Sequence, residues 1–197
     1  MNLHRAAHQA ASLLLRYPGH DWPDLCTRVS AALTGLTGPE TDPLLRFCRD
    51  TAGLPPLELA ARYVTTFDRS RRRTLHLTHY TDGDTRRRGA SLVALKARYR
   101  HSGWEPADGE LPDHLPTMLE FAARCPDAGR AVLHEHRGAL GLLARGLAAH
   151  QSPYLDVVRA VQATLPPAPP AAAAPGQSPA PVPFPLRHAP DDEGVRR

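Results

Sequence analysis

Cysteine is scarce in this chain: three in 197 residues, Cys26, Cys48 and Cys125. Their odd number, wide separation and lack of any CxxC spacing argue against a disulfide framework or a thiolate zinc site. They read as buried or idle thiols. Long apolar runs are missing too, since nothing approaches the roughly 18 residues of a membrane span. The longest run near the start, Ala10 to Leu15, follows His4, Arg5 and His8 in a helical pattern, not a charged segment with a cleavage site. The expectation is a soluble cytoplasmic protein. Lysine is almost absent: of 24 basic residues only Lys96 is Lys. With abundant Ala, Gly and Pro, this bias is the mark of a GC-rich coding sequence, so a net charge of only +4 is a weak reason to invoke nucleic acid. No GxSxG elbow, phosphate loop, dinucleotide fingerprint or HExxH helix occurs. The residue pattern makes no positive case for an enzyme.

Proline is present in quantity but unevenly. Ten of 21 lie between Pro166 and Pro190. The segment from Pro166 to Arg197 is Pro/Ala-rich, has Phe184 as its sole aromatic, and balances Arg187, Arg196 and Arg197 against Asp191, Asp192 and Glu193. Such a segment cannot bury enough apolar surface to offset backbone ordering at about 1 to 2 kcal/mol per residue. The expected organisation is a folded domain over residues 1–165 and a disordered tail over 166–197.

Within the domain the apolar residues recur at helical spacing. The pattern predicts helices over His4–Arg16, Asp21–Leu33, Thr41–Asp50, Leu57–Phe67, Asp84–His101, Leu111–Cys125, Asp127–His150 and Ser152–Leu165, with Asp21 as an N-cap and Pro23 in the first turn of the second. Thr74–Tyr80 reads as a strand or a short irregular connection. With no other strand candidate the fold class is all-α, a single-domain helical bundle. Gly138, Gly141 and Gly146 fall inside a helical pattern and read as loose helix packing.

The eleven His supply only pairs, His4/His8 and His76/His79, where a zinc site needs three or four convergent ligands, so no metal is expected. Two Arg runs, Arg69 with Arg71–Arg73 and Arg86–Arg88, are preceded by Asp68, Asp82 and Asp84 and are locally compensated. Two segments are harder to explain as scaffold alone. In Tyr80–Gly89, Gly83 permits a positive φ and Asp84 or Thr85 can cap the long helix, while Gly89 inside that helix reads as close approach of another backbone. In Glu110–Phe121, Pro112 precedes Asp113 as N-cap, which puts Pro116 at N3. In that register Asp113, Thr117 and Glu120 share one face and His114, Met118 and Phe121 another, with Leu115, Leu119 and Ala122 toward the core. The two outer strips fit a groove that accepts a basic amphipathic helix.

At these residues the chain resembles the NarJ family of nitrate reductase assembly chaperones, within the wider TorD-like redox-enzyme chaperones. The resemblance runs through Leu13–Pro18, Tyr63–Asp68, Leu75–Tyr80, Gly83–Gly89 with its Arg86, Arg87 and Arg88, Glu110–Pro116, Leu119–Phe121, Ser152–Tyr154 and Thr164–Pro166. It implies an all-helical, non-enzymatic cytoplasmic chaperone that binds the N-terminus of the nitrate reductase catalytic (α) subunit. That client would receive molybdopterin guanine dinucleotide before membrane docking, while the chaperone holds no cofactor stably and is a monomer or weak dimer. His76 and His79 stand where the family more often has Tyr.

The groove assignment is an inference from the residues. Phe67, Tyr80, Leu111, His114 and Met118 are expected to give an apolar lining, and Asp68, Asp84, Asp113 and Glu120 to attract basic client residues, with Arg86–Arg88 holding those carboxylates in place or touching cofactor phosphates. The rival reading from another class is a small helical Arg-rich regulator that binds nucleic acid, which predicts a steep loss of DNA affinity as salt rises.

Overall fold

The computed structural model describes residues 3–107 and 109–167. The tail expectation therefore lies outside the described residues. Among those residues, ten α-helices form one unit that ends at Pro166: α1 Leu3–Leu14, α2 Trp22–Leu33, α3 Thr41–Thr51, α4 Pro56–Tyr63, α5 Thr78–Asp82, α6 Arg86–His101, α7 Leu115–Arg124, α8 Pro126–Glu135, α9 Arg137–Ala149 and α10 Tyr154–Ala163. The all-α expectation holds.

Helices α1 and α7 are the centre. In α7 eight of ten residues are buried, and in α1 the buried set Ala6, Ala7, Ala10, Ala11 and Leu14 is made mostly of small residues, so α7 and α10 come close on either side. Polar groups on α1, of which His8 and Ser12 are buried, tie it to these neighbours. Ser12 donates to the Pro116 carbonyl at 2.8 Å, the His8 ring pairs with the Thr164 hydroxyl at 2.8 Å, and Arg5 donates to the Ala123 carbonyl at 2.9 Å. A second core region is aromatic: Tyr154 packs on Phe47, Tyr63 and Phe67, with ring centroids 4.8 to 5.8 Å apart. Fully burying each such ring contributes roughly 1.5 to 3 kcal/mol.

Several local expectations change. Asp21 precedes α2, but its side chain makes no capping bond. The pattern over Leu57–Phe67 is not one helix: α4 ends at Tyr63 and widens into a π-helical turn, Val64–Asp68. That turn frees backbone carbonyls. Arg73 takes two of them, donating from Nε to Thr66 at 2.8 Å and from a terminal nitrogen to Thr65 at 3.2 Å. Thr74–Tyr80 is no strand; it contributes one antiparallel bridge, His76 with His114, and then enters α5. The long pattern over Asp127–His150 divides into α8 and α9 at His136, whose Nδ1–H donates to the Val132 carbonyl at 2.9 Å and competes with the helix ladder.

The glycines also correct the reading. A Cβ on Gly146 would stand 2.6 Å from the Arg72 carbonyl oxygen, so α9 packs tightly, not loosely, on the Arg71–Arg73 turn. Gly89 faces open space, and no backbone approaches it. Gly83 does carry the expected positive φ, 59°, and Thr85 caps α6 by accepting from the Arg87 N–H at 3.3 Å.

Candidate functional site

The two segments singled out in the sequence meet. Leu77 N–H donates to the Asp113 carbonyl at 3.0 Å, and Leu115 N–H to the Leu75 carbonyl at 2.8 Å, pinning the entry to α5 against the entry to α7. From α6 the Tyr99 hydroxyl donates to the Pro112 carbonyl at 2.6 Å. At the crossing lies the Asp113 carboxylate, 0% exposed. One oxygen is 3.0 Å from His76 Nδ1; the other accepts from the Thr78 hydroxyl at 2.5 Å and from Arg88 at 3.2 Å. Burial pushes this carboxyl up, but the hydrogen bonds from His76 and Thr78 and the charges of His76 and Arg88 overcome it and hold it at about 2.

Asp113 is therefore not the N-cap of α7. His114 occupies that position with no capping bond, which places Pro116 at N2 instead of N3. His114 is held down to about 4, first by burial and then by the facing His76, whose ring centroid is 5.2 Å away.

Beside this junction the π-turn, the Arg71–Arg73 turn and α5 enclose a polar pocket of about 360 Å³, lined by Phe67, Asp68, Ser70, Arg71, Thr74, His79 and Asp84. Asp84 is 3.2 Å from Arg71 and 3.5 Å from His79, and it is more than half exposed. Tyr80 braces the wall, its hydroxyl donating toward the carbonyls of Thr74 and Arg72 at 3.0 and 3.2 Å. In α7 and the segment that leads into it, Thr117 donates to Glu110 at 2.7 Å and Arg16 to Glu120 at 2.8 Å, with Leu111 42% exposed nearby in the chain.

Of the nine expected groove residues, the structure gathers Phe67, Asp68 and Asp84 at the pocket and leaves Tyr80, Leu111, His114 and Glu120 partly open. It places Phe67, Asp113 and Met118 in the core, at 5, 0 and 0% exposure. The α7 register explains Met118. With α1 on one side and α8 on another, nearly every face of α7 is covered, so the strip assigned to a groove is buried. Pro112 and Pro116 are buried with it. Arg88 is structural, whereas Arg86 and Arg87 are exposed and their side chains make no hydrogen bond or ion pair among the described residues. Ser70, Arg71, Thr74 and His79 were missed as pocket residues, because one turn of sequence around an Arg run looks like a solvated loop. No group of three or more potential metal ligands occurs among the described residues.

The nitrate reductase delta subunit family model matches residues 33–160. The chain is 34% identical over 158 residues to a Bacillus subtilis protein described as a probable nitrate reductase molybdenum cofactor assembly chaperone, NarJ, covering 79% of this chain and 86% of that one. It is 40% identical over 154 residues to the nitrate reductase-like protein NarX of Mycobacterium tuberculosis, 78% of this chain but only 23% of the relative's length. Escherichia coli NarJ matches at 40% over 82 residues, 42% of this chain and 35% of that protein. Among solved structures, a redox enzyme maturation protein from Archaeoglobus fulgidus superimposes with a TM-score of 0.61 over 80% of this chain and 91% of that one; at 19% identity this speaks to the fold. By the breadth of the family match and the near full-length similarity to the Bacillus protein, the chain belongs to the nitrate reductase delta subunit family of NarJ-type chaperones.

Proposed function

We propose that this protein is an assembly chaperone for a respiratory nitrate reductase: it binds the N-terminal segment of the catalytic (α) subunit and keeps that subunit open to its molybdenum cofactor before membrane docking. The observation that carries the reading is the similarity to Bacillus NarJ along 86% of that protein's length, which spans the helices that build the pocket and the Asp113 junction. The molybdenum cofactor is cargo for the client, and the chaperone contributes recognition, not chemistry. No helix among the described residues is long and apolar enough to cross a membrane, in keeping with a chaperone that acts in the cytoplasm.

The surface around the pocket supports a basic peptide as ligand. Asp68 and Asp84 line the pocket, and Glu110 and Glu120 add carboxylates on α7 and the segment that enters it. A client helix lying here meets the exposed carboxylates of Asp68 and Asp84, with Leu111 for an apolar contact. The nucleic-acid reading weakens in the same region. Arg71 is engaged by Asp84, Arg73 by two backbone carbonyls and Arg88 by Asp113. The test is co-purification with the α subunit, followed by calorimetric titration with a peptide of its first residues. Micromolar affinity or better, about −8 kcal/mol, is expected. Absence of binding to both the peptide and the intact apo-subunit would remove the proposal.

A further inference from the structure

Helix α6 is thinly covered by the bundle. Ten of its sixteen residues are exposed and only Leu95 and Tyr99 are buried, whereas α7 buries eight of its ten. A surface helix normally holds to the core by a wider apolar stripe, and one without it relies on i, i+4 ion pairs along its own length. α6 has neither: it carries Arg86, Arg87, Arg88, Lys96, Arg98 and Arg100 and no Asp or Glu. Three of those arginines crowd the first turn, where the helix dipole disfavours cations. Arg88, Arg98 and Arg100 find partners outside the helix, in Asp113, Glu135 and Glu105. The side chains of Arg86, Arg87 and Lys96 make no hydrogen bond or ion pair among the described residues.

The exposed face has an order of its own. Arg86, Ala90, Val93, Ala97 and Arg100 follow one another at spacings of four, three, four and three, the spacing by which one helix packs along another. All five are exposed, and Val93, 71% exposed, puts a large apolar side chain in water at the centre of that seam. Ala90 and Ala97 on either side of it leave the backbone open to close approach. Lys96 lies along one edge of the seam and Arg87 along the other.

We propose that this face of α6 is a docking surface for a helix of a partner protein that presents a short apolar stripe between acidic edges. The chemistry of the face selects that partner. Unpaired cations on both edges call for carboxylates, and a carboxylate beside the first turn also offsets the crowding of Arg86 and Arg87 at the positive end of the dipole. Nucleic acid fits less well: Ala90, Val93 and Ala97 offer a phosphate no side-chain donor, and the one aromatic of α6, Tyr99, is buried and cannot stack on a base. An anionic membrane would meet the charges but find only Val93 to bury. A second copy of α6 would set arginine against arginine. The surface is opposite in sign to the pocket of Asp68 and Asp84, so it takes a different ligand from the basic client segment.

The experiment uses the full chain and, as probe, a synthetic helical peptide of about 21 residues, three heptads, with Ala and Leu along one seam and Glu at the flanking positions. A comparison peptide has Lys for every Glu. Anisotropy of the labelled peptide reads binding, and hydrogen exchange reads where it binds. The acidic peptide is expected to bind, to slow exchange within α6 and to weaken as salt rises, while the basic one leaves α6 unprotected. Arg86→Glu, Arg87→Glu and Lys96→Glu together should lower affinity for the acidic peptide about tenfold or more at low salt and transfer protection of α6 to the lysine peptide. Val93→Arg separates docking from mere attraction. It adds a positive charge but fills the seam with a long side chain, so affinity for the acidic peptide should fall about tenfold where helices pack and rise where charge alone acts. Val93→Arg decides by itself should the triple variant fail to fold. The proposal is overturned by a rise in Val93→Arg, by unchanged affinity in a folded triple variant, by absence of protection in α6, or by tighter binding of duplex DNA or phosphatidylglycerol vesicles than of the acidic peptide at physiological salt. Titration of the parent chain with the basic client peptide is a separate measurement, and neither result decides the other.

Discussion

Arg88, in the first turn of α6, holds the buried Asp113 carboxylate at 3.2 Å across the entry to α7. The bond explains why a cluster of three arginines at a helix N-terminus, where cations are disfavoured by the helix dipole, includes one that cannot be spared. It also takes Asp113 out of any client surface.

Asp113→Ala is expected to destabilise the chain by about 3 to 5 kcal/mol, because it leaves Arg88, His76 and Thr78 facing a desolvated gap with no acceptor. Arg88→Ala strands the carboxylate and should also unfold the chain at lower urea. Arg86→Ala and Arg87→Ala should shift stability by less than about 0.5 kcal/mol, as surface changes usually do. Urea denaturation followed by circular dichroism compares all four. An Asp113→Ala chain as stable as its parent would mean that the four-residue junction carries no weight.

Two glycines should respond in opposite directions. On Gly129 a Cβ would collide with the Ala122 backbone where α8 crosses α7, so Gly129→Ala is expected to cost about 1 to 3 kcal/mol through overpacking. On Gly89 a Cβ meets nothing within 4 Å, in a helix interior where Ala is preferred, so Gly89→Ala should stabilise by up to about 1 kcal/mol. Thermal melts of the two variants settle the comparison, and a destabilising Gly89→Ala would contradict the open surface around it.

These glycines mark where sequence reasoning stops. Helical spacing located most of the elements, and Thr85 and Gly83 announced the start of α6, because caps and turns are local chemistry. Which face of α7 is covered is not local. Asp113, Met118 and Phe121 look like outward strips until His76, Thr78 and Arg88 close over Asp113, Tyr99 and Trp104 over Phe121, and neighbouring helices over Met118, and a helix buried nearly all round has no periodicity to separate inside from outside. The same limit applies to Gly129 and Gly89, one pressed on a neighbour and one in solvent, in segments that look equally helical. The pocket was partly legible through Phe67, Asp68 and Asp84. Its other wall was not, since Arg71, Thr74 and His79 come together only when α5 folds back on the π-turn.

Acid sensitivity should come in two stages. His8 and His114 are both held neutral by burial, each at about 4 against an ordinary value near 6.5. The unfolded chain binds protons on these residues first, so stability falls as pH drops from about 6.5 to about 4, by a few kcal/mol for the pair on the linkage relation. Asp113 has the opposite charge and the same direction of shift. Its stabilisation is complete above about 4 and is lost as pH falls toward about 2. Urea midpoints across pH 7 to 3 follow both stages. In His8→Asn the first stage should shrink, and an unchanged slope between pH 6.5 and 4 in that variant would exclude His8 as a source.

The client surface is testable without disturbing the fold, because Asp68 and Asp84 are exposed while Asp113 is not. Reversing Asp113 would abolish binding simply by unfolding the chain, so it cannot report on recognition. The double variant Asp68→Arg, Asp84→Arg keeps the core, gives up only the exposed contacts of Asp84 with Arg71 and His79, and turns the pocket mouth positive. Exposed pairs of this kind contribute about 0 to 1 kcal/mol each, so the melting curve should barely move. Affinity for a basic N-terminal peptide of the catalytic subunit should fall roughly tenfold or more at low salt, about 1.4 kcal/mol, with the difference from the parent shrinking as salt screens exposed charges. Calorimetric titration at two salt concentrations reads both effects. Unchanged affinity in a folded double variant would move the peptide away from this pocket, and Glu110 and Glu120 would then be the next carboxylates to reverse.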